Sequence, residues 1–484
     1  MELTSHQQLV VDKLLEKLLE SIDTKSSTYK FVELNGAAGV GKTFCTIEIV
    51  KKLQEYNLKI AFAAPTHAAL SVIKKINKYA KGGDVFLGTI HSFLNLTIEN
   101  DLDTGDKVLK SSYTEEEDAN KCDILIIDEK SMLCKEIMDK ILISIRMKYV
   151  KAVLLIGDGF QLPCVNGYPP KPFPNFYELT EIVRQQKDNP IIDFSTIMRT
   201  AIETGKYPNI EDILKDANKN IIMFDDEKEF LNHFYNITDN EDDKIIGAYE
   251  NTTVNKFNNT INKVLHPGMD YVEPDFAFIL QNTNNTLETD KWVHTHNNGE
   301  KIYIETVAKI NFGEIFHSKS KTLNYEIKTF EKEVEKHLYM LKSLMNIEIK
   351  DLTYYYCKAG GEKTIVILSE EAEANLKTIL DNLKETALLA PTDELRRKYF
   401  QLFFNLRKLF ANVKYSYANT FHKLQGSSYK HVGIDIRNIE RNKHKSDDLN
   451  DTIFRLLYVG VTRASETLFI LRNKPIIVGA PLDF

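Results

Sequence analysis

Residues 36 to 43 read Gly36-Ala37-Ala38-Gly39-Val40-Gly41-Lys42-Thr43. The spacing G-x-x-x-x-G-K-[ST] is that of a phosphate-binding loop. Glycines let successive backbone N–H groups turn toward phosphate oxygens, the lysine neutralises charge, and the threonine hydroxyl reaches magnesium. The flanks agree: Phe31-Val32-Glu33-Leu34 before the loop suits a buried strand, and Phe44 to Leu53 after it has helical spacing. That order places a helix N-terminus at the phosphates. Farther on, the apolar run Ile124-Leu125-Ile126-Ile127 ends in Asp128-Glu129. A carboxylate at a strand end can hold magnesium, here together with Thr43, and its neighbour can orient or deprotonate the attacking water. The two stretches form the halves of a nucleoside-triphosphate site, with ATP and Mg2+ as the expected cofactors.

The chain has 484 residues, 43% hydrophobic and 27% charged, which points to several globular domains. Cys45, Cys122, Cys134, Cys164 and Cys357 form no C-x-x-C pair, an arrangement that fits a reducing compartment and argues against structural zinc. No apolar run reaches the length of a membrane span, and Met1 to Glu20 is amphipathic, unlike a signal peptide. An intracellular protein without a membrane partner is expected. The net charge of −7 does not exclude a nucleic-acid partner, because distribution matters more than the total. Acidic residues crowd Asp101 to Glu129 and Asp225 to Asp243, whereas Arg396 to Lys445 is strongly basic. Within that basic stretch, Arg396 to Lys408 reads equally well as a solvated helix face.

Strand-like runs at 31–34, 60–64, 124–127 and 153–156 alternate with helical segments, the pattern of a parallel sheet covered on both faces. Leu94 to Ile98, the turn-rich Asn100 to Asp106, and Val108-Leu109 read as an inserted β-hairpin. A second alternating region starts near Glu178, with strands expected at 245–249, 432–436 and 467–471. A long insertion interrupts it, β over 301–310, 352–357 and 363–368, helical over 329–345 and 370–410.

Other motifs narrow the class. In chain order they are Ala63-Ala64-Pro65-Thr66-His67-Ala68-Ala69, Gly88-Thr89-Ile90-His91-Ser92, Gly157-Asp158-Gly159-Phe160-Gln161-Leu162-Pro163, Glu178-Leu179-Thr180-Glu181-Ile182-Val183-Arg184, Thr420-Phe421-His422-Lys423-Leu424-Gln425-Gly426, and Leu457-Tyr458-Val459-Gly460-Val461-Thr462-Arg463-Ala464. With the two nucleotide motifs, this ordered set resembles the superfamily 1 helicases nearly end to end. The branch it most resembles is the phage Dda type (superfamily 1B), similar to RecD. Pro65-Thr66-His67-Ala68-Ala69 and Asn297-Asn298-Gly299 are details of that branch. Lys130, directly after Asp128-Glu129, departs from it, since a small or apolar residue is commoner there.

The resemblance implies an α/β fold of two RecA-like parallel-sheet P-loop domains with ATP in the cleft between them. The first would span 1–93 and 121–177, interrupted by a β-hairpin pin at 94–120. The second would span 178–299 and 413–484, interrupted by an accessory SH3-like β-barrel with a helical tower at 300–412. Gln161 would sense the γ-phosphate, and Arg184 and Arg463 would act as arginine fingers on its spreading charge. Gln7 resembles the adenine-reading glutamine of the superfamily; by spacing alone it reads equally as a solvated residue of the first helix. Gly426 and Gly460 join the nucleotide set. Pro65, Thr66, His67, Thr89, His91, Thr420 and His422 would meet the nucleic-acid strand. Phe93 and Tyr113 are aromatic candidates at the fork, and core packing explains them as well.

The expected activity is an ATP-dependent DNA helicase moving 5′ to 3′ on single-stranded DNA and engaging single-strand/duplex junctions. The expected form is a monomer in the cytoplasm, a phage-infected cell or, for a eukaryotic source, the nucleus, alongside replication or repair proteins. The rivals are an RNA helicase or remodeller of the same superfamily, and a nucleotide-controlled single-strand translocase that does not unwind.

Overall fold

The structure, a computed structural model, describes residues 3–37, 39–66, 86–111, 120–164, 173–181, 189–214, 220–281, 284–288, 291–296, 298–349, 351–361, 363–441 and 449–473. These fall into two compact units, residues 1–95, 113–261 and 417–484 in one, and 96–112 and 262–416 in the other.

The first unit holds two parallel sheets. One runs in the order Phe86–Thr89, Ile60–Ala64, Cys122–Ile127, Val150–Gly157, Phe31–Gly36, Asn175–Leu179. Phe31–Gly36 and Ile60–Ala64 are buried at every position, as parallel strands covered on both faces must be. Val32 and Leu34 point to the face packed by the helices Ser5–Asp23 and Lys42–Gln54, where Leu14, Leu18, Ile49 and Leu53 complete the core. The other sheet has the order Ala418–Thr420, Lys244–Ala248, Tyr429–Asp435, Ala464–Leu471, Ile221–Phe224. Its core is closed by the helices Pro190–Thr204 and Leu449–Arg463 through Phe194, Met198, Phe454 and Leu457.

The second unit is built on an antiparallel sheet ordered Lys363–Leu368, Thr353–Ala359, Lys301–Asn311, Ala277–Leu280, Val413–Tyr415. The Ala411 N–H donates to Val366 O at 2.8 Å and Ile367 bridges Ala411, which brings the two ends of that order together as a small barrel. The longer segment of this unit begins at Asn262, before the residue 300 at which the insertion was expected. The strand Ala277–Leu280 belongs to the barrel, and Phe278 stacks on Tyr415 with ring centroids 4.9 Å apart. The helix expected from 329 starts a little over two turns earlier, at Lys321.

The inserted hairpin pairs Leu96–Asn100 with Lys107–Ser111. Leu94 is not part of it; it is buried at the end of the short helix Ile90–Phe93. The hairpin tip is seated on the helix Asp393–Leu409. Asp103 accepts from Arg397 at 2.6 and 3.1 Å, Leu102 joins the core of this unit, and Gly105, at φ 76°, lies so close to Phe400 that a Cβ would overlap the ring. Among the described residues, no helix is long and apolar enough to cross a membrane.

Candidate functional site

The loop Gly36–Thr43 connects a fully buried strand to the helix Lys42–Gln54. Gly39 and Gly41 both adopt φ 87°, a left-handed conformation that glycine reaches without strain. Gly41 caps the helix without a side-chain bond, so no side chain competes at the helix N-terminus for an incoming anion. Lys42 Nζ donates to Gly36 O at 2.7 Å and Ala37 O at 2.9 Å, folded over the loop where phosphate oxygens would compete for it. Thr43 is exposed. Ala38 lies outside the described residues.

Gln7 braces this loop. Its Oε1 accepts the Thr4 N–H at 3.0 Å, and its Nε2 donates to Val40 O at 2.9 Å. At 2% exposure it is not a solvated helix residue, and a Cβ on Gly41 would meet its amide. One N–H and one lone pair of Gln7 remain for a base edge.

Asp128 and Glu129 close the strand Cys122–Ile127. Each keeps some accessible surface yet sits among many protein atoms. Burial raises the Asp128 pKa, opposed by the Glu129 N–H, which donates to its Oδ1 at 2.8 Å, and by Lys42. Burial, then Asp128, pushes Glu129 up to about 7, while Arg463 and Lys42 pull it down. The Glu129 backbone is left-handed, at φ 53° and ψ 49°, a conformation uncommon outside glycine and often found at functional sites. Among the described residues, Glu129 Oε2 and Gln161 Oε1 are buried without a hydrogen-bond partner. The orphaned Glu129 oxygen, within electrostatic reach of Lys42 and Arg463, suits the hydrogens of a bound water. The oxygen donors Thr43 and Asp128 suit a hard cation such as magnesium.

Lys130 is buried and paired with Glu33, and burial pushes its pKa down to about 8. The departure from the branch is thus absorbed inside the first sheet.

The loop that follows the strand Val150–Gly157 reaches into the second half. Tyr458 Oη donates to Asp158 Oδ2 at 2.5 Å, and both groups are buried. Arg455 Nη1 donates to Gly159 O at 2.9 Å and Gln161 O at 3.1 Å. Gln425 Nε2 donates to Leu162 O at 2.9 Å, and the Leu162 side chain is a member of the second sheet's core. Arg199 pairs with Glu178 at 2.6 Å and covers the Phe160 ring at 4.7 Å. Arg455, Tyr458, Thr462 and Arg463 recur at helical spacing, which turns one face of Leu449–Arg463 toward the first half. Tyr458 and Asp158 lie within motifs the sequence displays, but their pairing was not foreseen. Arg455 carries no sequence signal.

Arg463 is 6% exposed, and its guanidinium is held by Ser427 O at 2.8 Å, Val459 O at 3.2 Å and Thr462 Oγ1 at 3.1 Å. Gly426, at φ 77°, forms the turn beside Ser427. Gly460 faces the core: a Cβ there would lie 2.8 Å from both Ile434 and Phe421, so the position is one of close packing. Arg184 lies outside the described residues.

Thr89-Ile90-His91 ends the strand Phe86–Thr89, and Thr420-Phe421-His422 ends Ala418–Thr420. Each strand is the terminal one on its sheet, and each opens a four-residue helix. Thr89 Oγ1 accepts the Ser92 N–H at 3.1 Å, whereas Thr420 makes no such capping bond. Burial lowers the pKa of both histidines, against Glu136 in the case of His91, which favours neutral rings at pH 7. Pro65 and Thr66 follow the neighbouring strand Ile60–Ala64 and are partly exposed. Phe93, in contrast, is 2% exposed and packs edge-on against Phe86 at 5.2 Å, so it is a core residue and no wedge. His67 and Tyr113 lie outside the described residues.

Residues 20–167 match the AAA domain family, and residues 415–471 match the UvrD-like helicase C-terminal domain. With two parallel sheets and one phosphate loop, the fold and site define a P-loop nucleoside-triphosphatase of two RecA-like halves. An uncharacterized protein of Acanthamoeba polyphaga mimivirus is 26% identical to this chain, with 96% of this chain and 98% of that one covered. The ATP-dependent DNA helicase Dda of Enterobacteria phage T4 is 28% identical over 90% of this chain and 93% of its own, and the ATP-dependent DNA helicase Pif1 of Campylobacter jejuni 25% over 96% and 92%. These matches support a superfamily 1B helicase.

Replacing Tyr458 by Phe removes one hydroxyl and leaves a buried Asp158 oxygen short of a donor. The expected loss is about 1–3 kcal/mol of stability, read by thermal melting, together with a reduced ratio of strand-stimulated to basal ATP hydrolysis. An unchanged ratio would remove this bond from the link between the halves.

Proposed function

We propose that the chain uses ATP hydrolysis to move along single-stranded DNA, 5′ to 3′, and to separate duplex at a single-strand/duplex junction. The observation that carries this reading is the Asp158–Leu162 loop. It carries Gln161, is tied through Gly159 to Asn35 on the strand that leads into the phosphate loop, and is hydrogen-bonded and packed into the second half. In this reading the loop Gly36–Thr43 and Lys42 hold the phosphates, Glu129 and Gln161 hold the attacking water, and Arg463, with Arg184, meets the charge on the transferred phosphoryl. Thr43 and Asp128 would hold magnesium, which supplies charge neutralisation on the phosphates when bound.

Pro65 and Thr66 with Thr89 and His91 on one half, and Thr420 and His422 on the other, are two matched sets of strand contacts. They offer small donors and neutral rings, without the base-edge readout that sequence specificity requires. The hairpin around 96–111 acts as the separating pin, the barrel and helices of 262–416 as the accessory domain, and a monomer suffices. Differential grip of the two sets in the ATP-bound and ATP-free states converts hydrolysis into steps.

The test is ATP hydrolysis without polynucleotide, with single-stranded DNA and with single-stranded RNA, followed by unwinding of duplexes bearing a 5′ or a 3′ tail. Stimulation by DNA and unwinding from the 5′ tail alone are expected. Preference for RNA would make the chain an RNA remodeller, and strand-stimulated hydrolysis without unwinding would make it a translocating switch.

A further inference from the structure

The strand Phe31–Gly36 alternates its side chains between two faces. Val32 and Leu34 serve the core beneath the helices Ser5–Asp23 and Lys42–Gln54. Phe31, Glu33 and Asn35 occupy the other face, and between them they hold Phe173, Lys130 and Gly159. Phe31 stacks on Phe173 at 4.3 Å and 10°. Glu33 pairs with Lys130 and accepts the Phe173 N–H at 3.2 Å. Asn35 Oδ1 accepts the Gly159 N–H at 2.9 Å, two residues before Gln161.

We propose that Glu33 and Lys130 form a positioning pair for Glu129, through which the strand leading into the phosphate loop sets where the water-holding carboxylate stands. Lys130 is the next residue after Glu129, and a left-handed backbone is held only where its surroundings over-determine it. On one side of Glu129, the Asp128 N–H is fixed to Ala63 O at 3.1 Å. On the other, the Lys130 side chain runs across Gly157, where a Cβ would come within 2.7 Å of its Cγ. Its ammonium then reaches Glu33 and lies 5.5 Å from the centre of the Phe176 ring. The glycine, the carboxylate and the ring all accommodate this one side chain. A small or apolar residue at 130 would leave Glu33 charged and unpaired in the sheet, so the two positions are coupled within this chain. With Asn35 on the same face, Glu129 and Gln161 are both referred to the strand that carries the phosphate loop. The inference rests on the hydrolytic reading of the site.

The experiment compares wild type, Lys130→Met, and the double variant Lys130→Met with Glu33→Leu, which removes both charges. It measures melting temperature, the Kd of a fluorescent ADP analogue, and kcat and KM for ATP with saturating single-stranded DNA. In the double variant, melting temperature, nucleotide Kd and KM are expected to match wild type, while kcat stays about tenfold or more lower, the usual scale for groups that orient a reacting residue. A double variant with wild-type kcat would overturn the proposal, because the pair would then only satisfy its own charges. A fall in kcat accompanied by weaker nucleotide binding and lower melting temperature would also overturn it, as general loosening of the site. Wild type that hydrolyses no ATP would sink the hydrolytic reading itself.

Discussion

Arg463→Ala lowers strand-stimulated ATP turnover by about a thousandfold or more, the scale on which arginine fingers act, while nucleotide affinity stays near wild type. The expectation follows from how the side chain is held. Its guanidinium is anchored to two carbonyls, Val459 and Ser427, and to the Thr462 hydroxyl, so little rotational freedom remains to be lost when it meets the phosphoryl. It already acts on Glu129, whose pKa it pulls down against burial and Asp128. Lysine does not replace it, because one ammonium cannot keep a planar fork on two carbonyls and still present charge to the site. Steady-state hydrolysis with saturating single-stranded DNA, alongside titration of a fluorescent nucleotide, separates the two effects. Turnover within a few-fold of wild type, with intact folding, would remove Arg463 from the reacting site.

The second large effect is at Glu129. Glu129→Gln keeps the shape and loses the carboxylate, and hydrolysis is expected to fall by about a hundredfold to ten-thousandfold, the range for loss of a positioned base. Glu129 Oε2 has no hydrogen-bond partner among the described residues, so the structure spends no other interaction on that oxygen. In the proposed reading phosphate binding depends instead on the Gly36–Thr43 loop and Lys42, which the substitution leaves alone. The variant is therefore expected to bind ATP and stay in its ATP-bound grip on single-stranded DNA. Filter binding with ATP present measures that grip, and rapid release together with wild-type turnover would refute the assignment.

Central strands such as Ile60–Ala64 and the Ile124–Ile127 part of Cys122–Ile127 were legible because they are short unbroken apolar runs bounded by charged residues or proline. The terminal strands Phe86–Thr89, Ile221–Phe224 and Ala418–Thr420 were not. They are three or four residues long, too short to show a period. Motif residues could be read because their chemistry fixes their spacing, but their partners could not. Asp158 meets Tyr458 across 300 residues, and Lys130 meets Glu33 across 97, distances that no local pattern encodes. Residue type also misleads where two physical uses share it. Phe93 has the ring of a base-stacking residue and packs in the core, and Gly460 has the small size of a ligand contact and makes room for Phe421.

The Asp158–Leu162 segment is covalently part of one half, yet Leu162 is solvated or dry according to the other. If the halves part, either the segment follows the second sheet and carries Gln161 away from Glu129, or Tyr458, Arg455 and Gln425 release it and Leu162 meets water. In either case parting the halves has a cost, a displaced Gln161 or a wetted Leu162. The segment therefore works as a latch that opposes opening and favours return to the closed arrangement.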